Sequence, residues 1–198
     1  MRWYWAISWG KTVSNPFVSS AEDLKGYEDW QLERGHHIEH WDPTAWIRCT
    51  KPEWDGEPDD VLQTHLAIPI YSPRWQEVIR NARFSGIQFL PIRVLHMNGG
   101  EIPGFAIANI LNIPFAMDLE RSHYTMFDDD DCEPEDRGKV SGVYRMVLRR
   151  SPLSNYDVIR VKEFHQSLYV SERFKLEFEA AKFTGYTFQE VQLTDEGH

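Results

Sequence analysis

The chain has 198 residues, of which 41% are hydrophobic and 14% aromatic, a composition that excludes a largely disordered protein. Its 31 acidic and 21 basic residues give a formal net charge of −10. This balance argues against binding to nucleic acid or to an anionic membrane, since both need a basic face, but it suits a basic partner or serves only solubility.

The sequence predicts a cytoplasmic protein. Cys49 and Cys132 form no cysteine motif, which favours a reducing compartment. The N-terminal "MRWYWAISWGK" is too short and too polar for the core of a signal peptide, and no apolar run is long enough to span a membrane. We expect residues 1–198 to form one domain, with a possible N-terminal subregion (1–65) and a repeat-containing region (66–198).

The first 66 residues indicate regular structure less clearly than the rest of the chain. The alternation in "RWYWAISW" indicates a strand whose Trp3, Trp5 and Trp9 suit a core better than a binding platform. We expect "SAEDLKGYEDW" (20–30) to start with a capped helix. Residues 41–60, which contain three prolines, are expected to be rich in loops.

A histidine group in "GHHIEHW" raises the alternative of a metal-dependent enzyme. On a helix, His36 and His40 would share one face with His37 beside them, as metal ligands can. The spacing is not HExxH, however, and Gly35 and Pro43 oppose a continuous helix. Solvated histidines, or histidines packed in a loop, are the competing interpretation.

Two stretches of the chain repeat one another. "YSPRWQEVIRNARFSGIQFLPI" (71–92) aligns without a gap on "VSERFKLEFEAAKFTGYTFQEV" (170–191), at an offset of 99 residues. The identical pairs are Ser72/Ser171, Arg74/Arg173, Ala82/Ala181, Phe84/Phe183, Gly86/Gly185 and Phe89/Phe188. The duplication predicts two copies of one structural unit.

Each copy predicts a strand, a helix and a second strand. Ser72 and Ser171 follow short apolar strands and are expected to be N-caps. The predicted core-facing positions are Trp75, Val78, Ile79 and Ala82 in the first helix and Phe174, Phe178 and Ala181 in the second. Gly86 and Gly185 are expected to end the helices in a left-handed conformation. Two such units, at about 66–94 and 166–193, predict an α+β fold with mixed, largely antiparallel sheets.

Further strands are expected between the copies. "IRVLHMNGGEIPGFAIANIL" predicts a hairpin around Asn98-Gly99, and 140–149 and 156–163 predict strands joined through Ser151-Pro152. Asp157, Arg160 and Glu163 are interpreted as solvent-facing residues of the second of these strands.

An acidic run, "FDDDDCEPED", separates these parts of the chain. We consider it either a solvated connector or a docking surface for a basic partner, formed by Asp128, Asp129, Asp130, Asp131 and Glu133. It lacks the alternating spacing of a calcium loop. The sequence as a whole contains no nucleophile elbow, phosphate-cradling loop or cysteine–histidine motif. It therefore predicts neither catalysis nor a cofactor.

Three motifs give the chain a family resemblance. They are "IYSPRWQEVIRNARFSGIQFLPI", "FAIANILNIPFAMDLERSHYTMFDD" and "YDVIRVKEFHQSLYVSERFKLEFEAAKFTGYTFQEV", with a looser match at "DWQLERG". Together they resemble the bacterial immunity proteins of polymorphic-toxin systems, type eleven, formerly a domain of unknown function. The matching positions include Asn109, Asp118 and Ser122, whereas the acidic insert at 128–136 departs from the pattern.

The resemblance implies a non-enzymatic protein that binds and neutralises a cognate toxin in the cell that makes both. It supplies no catalytic residues, and its matched positions are interpreted as determinants of the fold. The acidic charge suits a basic, nuclease-like toxin. A general protein-binding regulatory module that uses the repeat as a duplicated face is a further alternative, and it would have partners other than a toxin.

Overall fold

The computed structural model describes residues 1–8, 19–49, 58–62, 68–96, 99–127 and 136–195. Within these ranges the helices are α1 (Asp29–Glu33), α2 (Pro73–Asn81), α3 (Glu172–Ala180) and a 3₁₀ helix at Ser151–Leu153. The strands are β1 (Trp3–Ile7), β2 (Ser19–Asp23), β3 (Trp46–Cys49), β4 (Val61–Leu62), β5 (Ile70–Tyr71), β6 (Ile87–Pro91), β7 (Arg93–Leu95), β8 (Glu101–Ile102), β9 (Ala106–Ile110), β10 (His123–Met126), β11 (Val140–Arg145), β12 (Val147–Arg149), β13 (Val158–Val161), β14 (Phe164–Ser171) and β15 (Thr187–Thr194).

These strands form mixed sheets, which confirms the predicted α+β class. One sheet has the order β12-β15-β1-β14-β13, a second β4-β5-β9-β6 and a third β2-β3-β7-β8, while β10 and β11 form a two-stranded hairpin. The β12–β15 and β3–β7 pairs are parallel, and the other described pairs are antiparallel.

The two repeats occupy equivalent places in two sheets. The first copy is β5–α2–β6 and the second is β14–α3–β15. In each copy the two strands flank a third strand that runs antiparallel to both: β9 lies between β5 and β6, and β1 lies between β14 and β15. A further strand pairs outside the first one, β4 with β5 and β13 with β14. The duplication therefore extends beyond the aligned sequence to a four-stranded arrangement.

The predicted N-caps of α2 and α3 are confirmed. The Ser72 hydroxyl oxygen accepts from the Trp75 amide at 3.2 Å, and the Ser171 hydroxyl oxygen accepts from the Phe174 amide at 3.2 Å. Each bond satisfies one amide that the first helical turn leaves without a partner. Pro73 occupies the start of α2, where a missing amide proton costs nothing.

The predicted apolar stripe is confirmed except at its last position. Trp75 and Ile79 are buried in α2, and Phe174 and Phe178 are buried in α3. Val78 and Ala82 are half-buried against the same cluster, but Ala181 is exposed, so that prediction was wrong. The helix ends do not account for this difference, since Ala82 and Ala181 are the equivalent C-cap residues of α2 and α3.

The predicted helix-ending role of Gly86 and Gly185 is wrong, because both glycines lie beyond the helix ends. The residues that leave the helices in a left-handed conformation are Arg83 (φ 57°) and Lys182 (φ 56°), not Gly86 and Gly185. Both glycines do adopt positive φ, at 75° and 102°, in the turn that enters the following strand. A Cβ at Gly86 would collide with Asn112, so close approach as well as backbone conformation requires glycine there.

Two other local predictions need correction. Residues 19–23 form strand β2 rather than the start of a helix, because they pair with β3 and the Asp23 carboxylate then accepts from the Lys25 amide in a turn. The hairpin around Gly99 exists, but only Glu101–Ile102 pairs with β7. Residues 103–104 form a turn that ends this pairing, and the next strand, β9, lies in a different sheet.

The core has three parts. One lies between the N-terminal segments and the sheets of β3 and β9, and a second lies between the two repeats. The third lies on the face of the β1 sheet that holds Trp3, which is buried, with Trp5 partly buried beside it. These positions support the core interpretation of the two tryptophans, whereas Trp9 lies outside the described residues. Among the described helices, none combines the length and apolar character that crossing a membrane requires.

Candidate functional site

The two repeats pack face to face through an aromatic cluster. The Trp75 ring meets Phe174 at a centroid distance of 4.9 Å, Phe178 at 5.2 Å and Phe183 at 5.2 Å. Phe84 completes the contact by lying 5.2 Å from Phe174. Because tilted and edge-to-face rings interlock with their neighbours, this cluster fixes the two helices relative to one another.

The start of each helix is held by a group of one aspartate, one serine and one arginine, which we call a polar bracket. In the first, the Asp60 carboxylate accepts from the Ser72 hydroxyl at 2.7 Å and pairs with Arg74 at 3.2 Å. In the second, Asp157 accepts from the Ser171 hydroxyl at 2.6 Å and from Arg173 at 2.6 Å.

The main chain repeats this bracket as well. The Ser72 amide donates to the Asp60 carbonyl, and the Ser171 amide donates to the Asp157 carbonyl, both at 2.8 Å. Both serines are buried and act as N-caps, so the brackets set helix position rather than supply a nucleophile.

The arginines of the brackets cross from one repeat to the other. Arg74 lies over the Phe183 ring at 5.0 Å, and Arg173 lies over the Phe84 ring at 4.5 Å. Each arginine thus contacts the phenylalanine of the opposite copy, and Arg173 also donates to the Ala82 carbonyl. These cation–π contacts join the start of each helix to the segment that follows the end of the other helix, at the surface of the aromatic cluster.

A group of charged and phenolic side chains lies inside the fold beside the repeats. Arg160 is fully buried and donates to the His165 carbonyl, and burial lowers its pKa. The Tyr71 and Tyr186 hydroxyls lie 2.9 Å apart, and burial raises the pKa of both phenols. Burial also raises the pKa of the Glu33 carboxyl, against the attraction of Arg160.

The interpretation of strand 156–163 as solvent-facing was wrong for the three residues that it named. Arg160 is buried, Asp157 belongs to a bracket, and Glu163 accepts from the Ala116 amide at 3.3 Å. The error arises because β13 pairs with β14 while the preceding residue, Asp157, turns toward the start of α3. Neither face of this strand is therefore left to solvent.

A cleft of about 830 Å³ opens beside β11 and the exposed end of the β1 sheet. Its aromatic lining comprises Trp5, Tyr144, Phe164, Tyr169 and Tyr186. Its charged lining comprises Asp29, Glu33, Arg145 and Glu190. The combination of aromatic walls with a few polar groups is typical of ligand-binding and side-chain-binding sites.

The β10–β11 hairpin exposes several large side chains, of which Tyr144 also lines the cleft. Tyr144 is 73% exposed and Met126 is 51% exposed, and Phe127 is exposed as well. The Phe127 amide donates to the Lys139 carbonyl at 3.0 Å, which closes the strands at the base of the turn. The predicted docking residues of this turn, Asp128, Asp129, Asp130, Asp131 and Glu133, lie outside the described residues.

The histidine group lies after α1, not on a helix. His36, His37 and His40 are exposed, and the His36 carbonyl accepts from the Asn109 amide group at 2.8 Å. In the part of the chain that the structure describes, no three His, Cys, Asp or Glu side chains stand close enough together to hold a metal ion.

Three residues that the sequence singled out by resemblance have structural roles. Asn109 is fully buried and donates to Gln88 as well as to His36. Asp118 accepts from the Thr194 hydroxyl at 2.9 Å, and the Ser122 hydroxyl accepts from the Val147 amide at 3.0 Å. These bonds join the segment before β10 to β12 and β15, in agreement with the interpretation of these positions as fold determinants.

Sequence reasoning missed Asp60, Glu33 and the burial of Arg160. One signal was available for Asp60: the dipeptide Asp-Val occurs at 60–61 and again at 157–158, so the repeat continues upstream after a two-residue gap. No comparable signal marks Glu33 or Arg160, because their environment depends on which strands become neighbours.

Comparison with known families gives a match over most of the chain. The model of an immunity protein family, Imm11, matches residues 11–193. No curated protein matches the chain.

Proposed function

The chain belongs to the Imm11 immunity protein family, and from that premise we propose that it binds a cognate toxin and blocks it without catalysis. The family match over residues 11–193 is the observation that carries this proposal. We place the action in the cytoplasm of the cell that makes the toxin. Residues 1–198 act as one domain, a view supported by the position of the N-terminal strand β1 between β14 and β15.

The packing of the repeats supports a mechanism by contact. Tight capture of a protein usually buries about 1,600 Å² and depends on a few anchors held in place before binding. The interlocked rings of Trp75 and Phe174, together with the two polar brackets, hold α2 and α3 in one arrangement. A surface carried on such a frame loses little conformational entropy when a partner binds.

The β10–β11 hairpin is the surface that suits this role best. Its exposed Tyr144, Met126 and Phe127 are apolar side chains of the kind that form anchors at the centre of interfaces. In the sequence, the segment between the two strands of this hairpin contains the acidic residues Asp128 to Asp131 and Glu133. We assign these carboxylates to the steering of a basic, nuclease-like toxin toward the hairpin.

Purification of the chain together with its toxin tests the proposal. The toxin encoded beside this gene is mixed with increasing amounts of the chain, and both complex formation and residual toxin activity are measured. A blocking protein forms a stoichiometric complex, and inhibition is complete at about one equivalent. Failure to form a complex contradicts the proposal, and inactivation by a small fraction of an equivalent would indicate catalysis instead of blocking.

A further inference from the structure

We propose that the cleft beside β11 receives a cationic side chain, an arginine or a lysine of the toxin, with the Glu33 carboxylate as its counter-charge. This inference rests on the proposed function and assigns part of its interface. The cleft has a volume of about 830 Å³, which falls within the usual range of about 300–1,000 Å³ for sites that enclose a ligand or a guest side chain.

Glu33 is the observation that points to a cation. The residue is only 7% exposed, yet its side chain lines the cleft. Among the described residues the nearest polar partner of its carboxylate is His165 Nε2 at 3.7 Å, which is beyond hydrogen-bond distance. Among the described residues no donor lies within hydrogen-bond distance of this carboxylate, so a cationic guest in the cleft would give it a charged partner that the fold does not supply.

The other polar groups around Glu33 do not supply that donor. His165 Nε2 is too distant to donate at 3.7 Å, and burial, together with the neighbouring Arg160, lowers the pKa of His165, so the imidazole is not a cationic partner for Glu33 near neutral pH. Arg160 attracts Glu33 from inside the fold and is not among the residues that line the cleft.

The charge of the cleft favours a positive guest. Asp29 lies four residues before Glu33 on α1 and therefore on the same side of the helix, and Glu190 adds a third carboxylate. Arg145 is the one arginine or lysine among the described residues that line the cleft, and its guanidinium donates to the Arg121 carbonyl at 2.9 Å. The described lining thus carries three carboxylates and one guanidinium, a balance that favours a cation.

The aromatic walls suit the same guest. Trp5, Tyr144 and Phe164 line the cleft, and aromatic faces attract guanidinium and ammonium groups. Tyr144 also belongs to the exposed face of the hairpin, so the cleft continues directly into the surface assigned to the toxin. A basic protein steered to the hairpin would thus find the cleft beside its first contact.

Substitution of Glu33 tests this site in the complete chain. Affinity for the toxin encoded beside the gene is measured by calorimetry for the wild-type chain, for Glu33→Gln and for Gln189→Trp, which places an indole in the cleft from an exposed position. Glu177→Gln, an exposed position of α3 that is not among the lining residues, is the matched charge control. We expect Glu33→Gln and Gln189→Trp each to weaken binding tenfold or more, and Glu177→Gln to leave it within twofold.

The outcomes separate this inference from the proposed function. Wild-type affinity in both cleft variants would overturn the cleft as a binding site while leaving toxin capture intact. An equal loss in Glu177→Gln would also overturn it, since the effect would then reflect overall charge. Failure of the wild-type chain to bind would remove the proposed function and this inference together. The folding of each variant is checked by its thermal unfolding, so a loss of binding is scored only for a folded protein.

Discussion

Trp75 and Phe174 stand at the same position of the two repeats, and their rings meet edge to face with centroids 4.9 Å apart and planes at 83°. The duplicated residue is therefore also the point at which the copies contact each other. Each copy alone would leave its largest apolar side chain exposed, because the other copy provides the surface that buries it. The physical consequence is that the two repeats stabilise each other.

Truncation of the Trp75 side chain is expected to destabilise the fold strongly. Trp75→Ala should lower the free energy of unfolding by about 3–5 kcal/mol, because it removes a fully buried indole and leaves a cavity among three phenylalanines. Urea denaturation followed by circular dichroism measures the change. Leu176→Ala is the control, since Leu176 is 56% exposed on α3 and should change stability by no more than about 0.5 kcal/mol. Equal effects of the two substitutions would contradict the assignment of Trp75 to a shared core.

The polar brackets predict a second, smaller effect. Asp60→Ala should destabilise the fold by about 1–3 kcal/mol, because the Ser72 hydroxyl, the Arg74 guanidinium and the Thr184 amide all donate to that carboxylate. The same urea titration applies, with Asp195→Ala as the control. The Asp195 side chain is 85% exposed, so its pairing with Arg150 is worth about 1 kcal/mol at most. An Asp60→Ala variant as stable as the wild type would show that the bracket does not hold the helix.

The repeat was predictable from the sequence because its determinants are local. A serine before a helix needs only its neighbours, so Ser72 and Ser171 mark the helix starts correctly. Gly86 and Gly185 were expected to end the helices but lie in the turns that enter the following strands. The third strand of each unit was not predictable. β1 comes from the start of the chain and β9 from its middle, and neither lies inside the aligned stretches.

The candidate cleft could not be predicted for the same reason. It brings together β1, α1, β11, β14 and β15, whose pairing depends on long-range contacts. From the sequence, Glu33 cannot be distinguished from an ordinary acidic surface residue. In the structure it is the last residue of the short helix α1. Its burial follows only from what packs against it. The acidic run, in contrast, is evident from the sequence because a high density of charge is a property of the composition alone.

Stability should depend on pH through Glu33. Burial raises the pKa of this carboxyl above its ordinary value of 4.5, so the folded state holds the proton more tightly than the unfolded chain. The contribution is therefore fully present below pH 4.5 and is lost as the pH rises through the folded-state pKa.

A variant with a neutral side chain at position 33 isolates the effect of Glu33 ionisation on stability. Glu33→Gln should gain stability relative to the wild type between pH 4.5 and 7, by a difference that grows with pH. Denaturation midpoints at several pH values measure it, with the exposed position Glu177→Gln as the control. A difference that does not vary with pH would contradict the assignment of a buried, ionised Glu33. Improved stability with weakened toxin capture would be the signature of a group retained for binding.

The acidic run should affect the rate of toxin capture more than stability. Replacement of Asp128 to Asp131 with Asn and of Glu133 with Gln removes five negative charges and should slow association with a basic toxin about tenfold or more at low salt. Stopped-flow association at rising ionic strength measures it, and the wild-type rate should fall toward the rate of the variant as salt screens the charges. Equal rates at low salt would remove the acidic run from the interface.

Co-expression tests the central claim most directly. The toxin encoded beside this gene is induced in a host that carries either the chain, a Trp75→Ala variant or an empty vector, and surviving colonies are counted. If the chain is an immunity protein that acts by binding, hosts with the wild-type chain survive, hosts with the vector die, and hosts with the destabilised variant survive poorly. Death of hosts that contain the intact, folded chain in excess over its toxin would contradict the account.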